Sequence, residues 1–107
     1  MRLVADPETA AWLATVPTLQ WDAGNSTKSE VKHGFSSADV ESLFLGNFAF
    51  AGRIIEPAHE ETRHLLFGVT ADGRHAALVF TRRGEFLRPI SCRSMRKKEK
   101  EAFDAAT

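Results

Sequence analysis

The residues able to do chemistry are concentrated in the second half of the chain. Arg63, Arg82, Arg88 and Arg93 stand on three successive apolar runs, and Arg96, Lys97, Lys98 and Lys100 follow them. A guanidinium offers paired donors that fit a phosphate, whereas an ammonium is a point charge, so an arginine-weighted segment suits an anionic ligand. In the first half, Lys32 and His33 stand together in the stretch VKHGF. Chemistry at a phosphate ester needs protons moved to and from its oxygens and the charge on phosphorus stabilised. Histidine and arginine are the side chains for those tasks. His33 is the candidate general acid or base, because imidazole titrates near neutral pH. Lys32 either holds a phosphate beside it or remains a solvated cation.

Alternation along a strand decides which arginines could converge, since only residues of equal parity share a face. In the last apolar run, FLRPISCR, Arg93 goes with Ser91, and Arg88 goes with Ile90 and Cys92. With Ile90 packed under helices, Arg93 looks onto the open face as the expected transition-state stabiliser. Arg63 is its companion from a neighbouring strand, and Arg88 reaches the rim. Arg82 and Arg83 point to opposite faces, so at most one reaches the site, and Arg82 is preferred. Pro89, which cannot donate to a ladder, marks an edge or bulge that bears on this register. Lys97 and Lys98 could track an RNA backbone or meet an acidic partner segment. Glu60 and Glu61 read as ion-pair partners, and His59, His64 and His75 as water-facing. Cys92 reads as core filler, and Trp12 and Trp21 as packing anchors.

The overall charge hides this division. The 107 residues carry a formal net charge of zero. Through Thr62 there are four basic against nine acidic residues, a net of −5, and from Arg63 onward ten against five, a net of +5. A single cysteine excludes a disulfide framework, and no Cys/His spacing fits a zinc site, so neither a metal nor another cofactor is expected. No stretch reads as a signal segment or membrane span, so the expected setting is the cytoplasm, with no membrane partner. With 43% hydrophobic residues and eight phenylalanines, the chain has enough apolar surface for one small core.

The elements that must position these side chains follow from local signals. Asp6-Pro7-Glu8 opens a short helix that runs through Trp12 and ends before Pro17, and it reads as an appendage. TLQWD is a short strand candidate. Ala23 to Lys32 forms a weakly specified helix that Gly34 ends, with Lys32 and His33 at the negative end of its dipole. Ser36 with Asp39 makes a capping box, Phe35 and Val40 have staple spacing, and Val40, Leu43 and Phe44 form a buried stripe. Four apolar runs then follow, separated by EPAHEE, Asp72-Gly73 and Arg83-Gly84-Glu85, which predicts an antiparallel meander. A last helix places Met95, Ala102 and Ala106 on one face and cations on the other. The expected class is α+β, with helices against one face of a small antiparallel sheet.

Trp21-Asp22, Lys32-His33-Gly34, a helix closing on Phe44, Arg63, Gly68, LVFTRRG and LRPISCRSMRKKEKEAF together resemble BrnT-type toxins, ribonucleases of bacterial toxin-antitoxin pairs. The resemblance runs from about Leu19 to Phe103. It divides the chain into an extension, residues 1–18, and a toxin domain, residues 19–107. It implies a RelE-like fold with two N-terminal helices on one face of the sheet and a C-terminal helix. The implied activity is metal-free RNA cleavage that arrests translation. The implied partner is an antitoxin with a ribbon-helix-helix DNA-binding domain, through which alone promoter DNA is met. Asn25 and Ser29 stand where this family usually has lysine and asparagine, and Phe103 where it often has tyrosine. Those departures motivate the alternative of an inactive interaction module that binds an antitoxin or RNA.

Overall fold

The computed structural model describes all 107 residues. Six strands form one mixed sheet in the order β1-β3-β4-β5-β6-β2. The expected meander forms its centre: β3 (Phe48–Glu56), β4 (Arg63–Val69), β5 (His75–Arg83) and β6 (Phe86–Ser94), each antiparallel to the next. Strand β1 (Arg2–Val4) adds an antiparallel edge to β3, and β2 (Thr18–Leu19) adds a two-residue parallel edge to β6.

Helix α1 (Pro7–Leu13) starts as predicted, with Asp6 accepting from the Thr9 backbone N–H at 3.2 Å. Helix α2 (Lys28–His33) is shorter than the Ala23–Lys32 expectation, because the glycine- and serine-bearing start stays in turns. Gly34 ends it in the left-handed conformation at φ 77°. Helix α3 (Ser37–Ser42) carries the predicted capping box between Ser36 and Asp39, and a 3-10 turn (Leu43–Leu45) leads into β3.

Two apolar clusters lie on opposite faces of the sheet. On one face, Trp12 and Leu13 of α1, Phe35, Val40, Leu43 and Phe44 pack on Leu66, Ala76, Leu78, Phe80, Leu87 and Cys92. Each large side chain buried there contributes roughly 1.5–3 kcal/mol relative to exposure. The 3-10 turn sits close because β4 has Gly68 beneath it; a Cβ at that position would lie 3.3 Å from Leu43. On the other face, Ile54, Leu65, Phe67, Ala77 and Val79 meet Phe103 of α4 (Lys97–Ala106).

Several expectations change here. The first eighteen residues are not an appendage: Trp12 and Leu13 lie in the main core, and Arg2–Val4 completes a sheet edge. The last helix lies on the face opposite α1 and α3, anchored by Phe103 rather than by Ala102 and Ala106, which are exposed. His64 does not face water. Only 5% exposed, it lies between Phe50 and Phe80, and its Nε2 lies 3.4 Å from Asp6 Oδ2. It thereby ties the cap of α1 to β4.

Candidate functional site

The sheet register decides where the arginines go, and one bulge alters the outcome. Arg93 lies opposite Ala77 and Ser91 opposite Val79, but then Pro89 pairs with Phe80 and Arg88 with Thr81. Ile90 is the extra residue, so every side chain before it changes face. Arg88 therefore shares the face of Ser91 and Arg93, not that of Cys92, and Ile90 packs against the α4-side cluster instead of under the other helices. The alternation expected across FLRPISCR fails at that single position.

On this face, β4 presents Arg63, Leu65, Phe67 and Val69, and β5 presents Val79, Thr81 and Arg83. Continuing the register one step past His64 and Phe80 brings Arg63 beside Thr81, so Arg63, Thr81 and Arg88 form a row across three strands. Two inter-strand spacings put the Arg63 and Arg88 backbones about 10 Å apart, within reach of one phosphodiester for two long side chains. Arg93 lies two rows further along β6, roughly 16 Å from Arg63 by the same spacings. The structure thus brings Arg63 together with Arg88 and Arg83, while Arg93 stands apart.

Acids hold three of these four guanidiniums. Arg88 donates to Asp22 through two bonds of 2.7 and 3.0 Å. Arg83 donates to Glu61 at 2.8 and 3.1 Å. Arg93 donates to Glu99 of α4 at 2.6 and 2.9 Å, with both side chains more than four-fifths buried. The hydrogen bonds from Arg88 hold the Asp22 carboxyl below its ordinary range, and those from Arg83 do the same for Glu61. Each carboxylate also feels the other's arginine, so the two pairs form one group. Burial pushes Glu99 upward, but the hydrogen bonds from Arg93 and the Arg96 backbone outweigh it and leave the carboxyl lowered. Arg63 is half-exposed and makes no ion pair. Thr81, buried beside it, has a hydroxyl that makes no well-formed hydrogen bond but lies near enough to Glu61 to help lower that carboxyl.

The other expected residues lie elsewhere. Arg82 points to the α1 face, with its guanidinium 4.5 Å above the Trp12 ring, and donates to the Gly84 carbonyl. Arg83, not Arg82, reaches the face of Arg63. Lys32 and His33 are exposed at the end of α2, outside the β6 edge, and Arg74 donates to the Gly34 carbonyl at 2.8 Å to fix that corner. Lys97 and Lys98 are exposed in the first turn of α4. Cys92 is fully buried, and desolvation pushes its thiol up to about 12.

Asn25 and Ser29 acquire a role that spacing alone did not reveal. Strand β2 covers only Phe86 and Leu87 of β6, which leaves the rest of that edge bare. The Cys92 backbone N–H donates to Ser29 Oγ at 2.7 Å, and Asn25 Nδ2 donates to the Pro89 and Gln20 carbonyls, each at 3.0 Å. Asn25 Oδ1 accepts from the Asp22 backbone N–H at 2.8 Å. Two short polar side chains therefore close the sheet edge and set Asp22 where it meets Arg88.

No curated protein and no solved structure matches the chain. A family model for BrnT, the ribonuclease toxin of type II toxin-antitoxin systems, matches residues 21–99. That span takes in Asp22, the arginine row, Arg93 and Glu99, and begins after α1 and β2. The chain belongs to the BrnT family of ribonuclease toxins.

Proposed function

We propose that this chain cleaves RNA without a metal ion, that the scissile phosphate sits on the row formed by Arg63, Thr81 and Arg88, and that the cleavage arrests translation. The observation that carries the reading is Arg63: a half-exposed guanidinium with no acid on it, one strand from a buried hydroxyl and two from a second arginine. The finer fold assignment, RelE-like, belongs to the same proposal and is supported by the four-strand meander backed on one face by α3, with α2 along the β6 edge.

Arg63 binds the phosphate first, because the other arginines must leave a carboxylate to do so. Arg88 then exchanges Asp22 for a phosphate oxygen, and the two guanidiniums stabilise the charge that develops on phosphorus. As Arg83 turns to the phosphate, Glu61 is released as a carboxylate beside the ribose. It takes the proton of the 2′-OH as the 2′-oxygen bonds to phosphorus, and the bond to the 5′-oxygen breaks with a proton supplied by water. The products are a 2′,3′-cyclic phosphate and a free 5′-hydroxyl. Lys32, His33 and Arg93 contact flanking nucleotides around the β6 edge. A cognate antitoxin, whose DNA-binding part is of the ribbon-helix-helix type, masks the protein, which acts in the cytoplasm.

A second reading is a binding module without activity, and the acids on Arg83, Arg88 and Arg93 favour it, since RNA must displace each of them. Incubation of the purified chain with total RNA in EDTA separates the two. Cleavage by wild type, falling at least 100-fold in Arg63→Ala and in Glu61→Gln, supports the proposal. Equal cleavage by Arg63→Ala refutes the site, and loss in His33→Ala with full activity in Glu61→Gln moves the proton transfer to His33. Intact RNA at every protein concentration supports the binding module.

A further inference from the structure

The α4 side of the sheet is only half covered. Phe103 meets the edge of the His75 ring at a centroid distance of 5.9 Å and packs on Leu65, Phe67, Ala77 and Val79, so α4 lies over β4 and β5. Beside it, β3 presents Ala49 and Ala51 and β1 presents Leu3, with the result that the sheet falls away into a groove of about 700 Å³. Ala102 and Ala106 of α4 form its other wall, and both are exposed. From β4 to β1 there are two inter-strand spacings, about 10 Å, and one α-helix is about 10 Å across. A single helix laid beside α4 would complete the layer.

The groove's charge says what kind of helix. Lys97 and Lys98 stand at its rim, exposed and in no ion pair, while the one rim acid, Glu99, is already taken by Arg93. A partner with an apolar stripe and acids along one flank satisfies both the floor and the rim; a nucleic acid, which has no apolar stripe, leaves Leu3, Ala51, Leu65 and Phe67 unfilled.

We propose that this groove receives an acidic amphipathic helix of the antitoxin, with its apolar side chains on Leu3, Ala51, Leu65 and Phe67 and its carboxylates on Lys97 and Lys98. The inference rests on the part of the proposed function in which an antitoxin binds this chain, and it is independent of where RNA is cut. Such docking places the helix on the same face as the arginine row, beyond the opposite side of α4 from the β6 edge.

The test is titration calorimetry of the whole chain with its cognate antitoxin. Ala102→Arg and Ala106→Arg, both at exposed helix positions, insert a charged side chain into the groove without disturbing Phe103. Each is expected to weaken the complex at least 100-fold while circular dichroism and RNA cleavage stay at wild-type values. Lys97→Glu with Lys98→Glu is expected to weaken it about tenfold and to flatten its salt dependence. Wild-type binding that Ala102→Arg and Ala106→Arg leave within twofold overturns the groove as the docking site. An RNA affinity that falls in those variants while antitoxin binding is kept assigns the groove to RNA and overturns it as well. Absence of any wild-type binding at micromolar concentration refutes the antitoxin reading itself.

Discussion

Replacing Asn25 by alanine removes three hydrogen bonds at once, two of them to backbone groups that are only partly screened from water. The third partner, the Pro89 carbonyl, is buried beside the bulge. A buried carbonyl left without a partner costs about 1–3 kcal/mol, and each of the two wetter bonds is worth about 0.5–1 kcal/mol. The expected loss is therefore about 2–5 kcal/mol, which for a domain of this size lowers the melting temperature by roughly 10–20 °C. Urea unfolding of wild type and Asn25→Ala, monitored by the tryptophans, measures it directly. Asn25→Asp keeps the acceptor for the Asp22 N–H but turns a carboxylate toward two carbonyls, so it should be the less stable of the two at neutral pH. A loss below about 0.5 kcal/mol for Asn25→Ala would show that the β6 edge is not held by this side chain, and the placement of Asp22 on Arg88 would lose its support.

Three further outcomes follow from packing and charge. Burial holds His64 below the ordinary imidazole value, so the unfolded chain takes up a proton near pH 6.5 before the native one does. Its contribution is present above that pH and is lost as the pH falls through the native value, at up to about 1.4 kcal/mol per pH unit. Melting temperature should decline from pH 7 to pH 5, and the decline should shrink in His64→Gln. The Cys92 thiol, raised to about 12 and fully buried, should resist a disulfide reagent at pH 8 until urea unfolds the chain; rapid labelling of the native protein would contradict its placement. Gly68→Ala should cost about 1–3 kcal/mol because the new methyl meets Leu43 at 3.3 Å, whereas a neutral result in urea unfolding would mean that the 3-10 turn can shift.

Local signals were readable where the cause was local. Asp6 caps α1, Ser36 and Asp39 close a box, Gly34 ends α2, and the turns at Gly73 and Gly84 separate the strands, all from residues within a few positions of one another. The arginine face was less legible because it depends on a one-residue bulge: Pro89 signalled an irregularity, but nothing in FLRPISCR says which neighbour is the extra residue. Asn25 and Ser29 looked like gaps in a family pattern. The partners that matter, Pro89 and Cys92 on β6, lie more than sixty residues away, and no spacing rule reaches that far. The acidic first half and basic second half have the same explanation, since Asp22 and Glu61 meet Arg88 and Arg83 only after the sheet forms.

The account stands on one placement, the phosphate on the row of Arg63, Thr81 and Arg88. The most direct measurement follows the arginine Nε–H signals by NMR while a short 2′-O-methyl RNA, which cannot be cut, is added to the isotope-labelled chain. The account predicts that Arg63 shifts first, that Arg88 and Arg83 follow as Asp22 and Glu61 are displaced, and that Arg82 on Trp12 stays still. Saturable shifts confined to Arg93 and the α4 cations, with Arg63 unmoved, would contradict it.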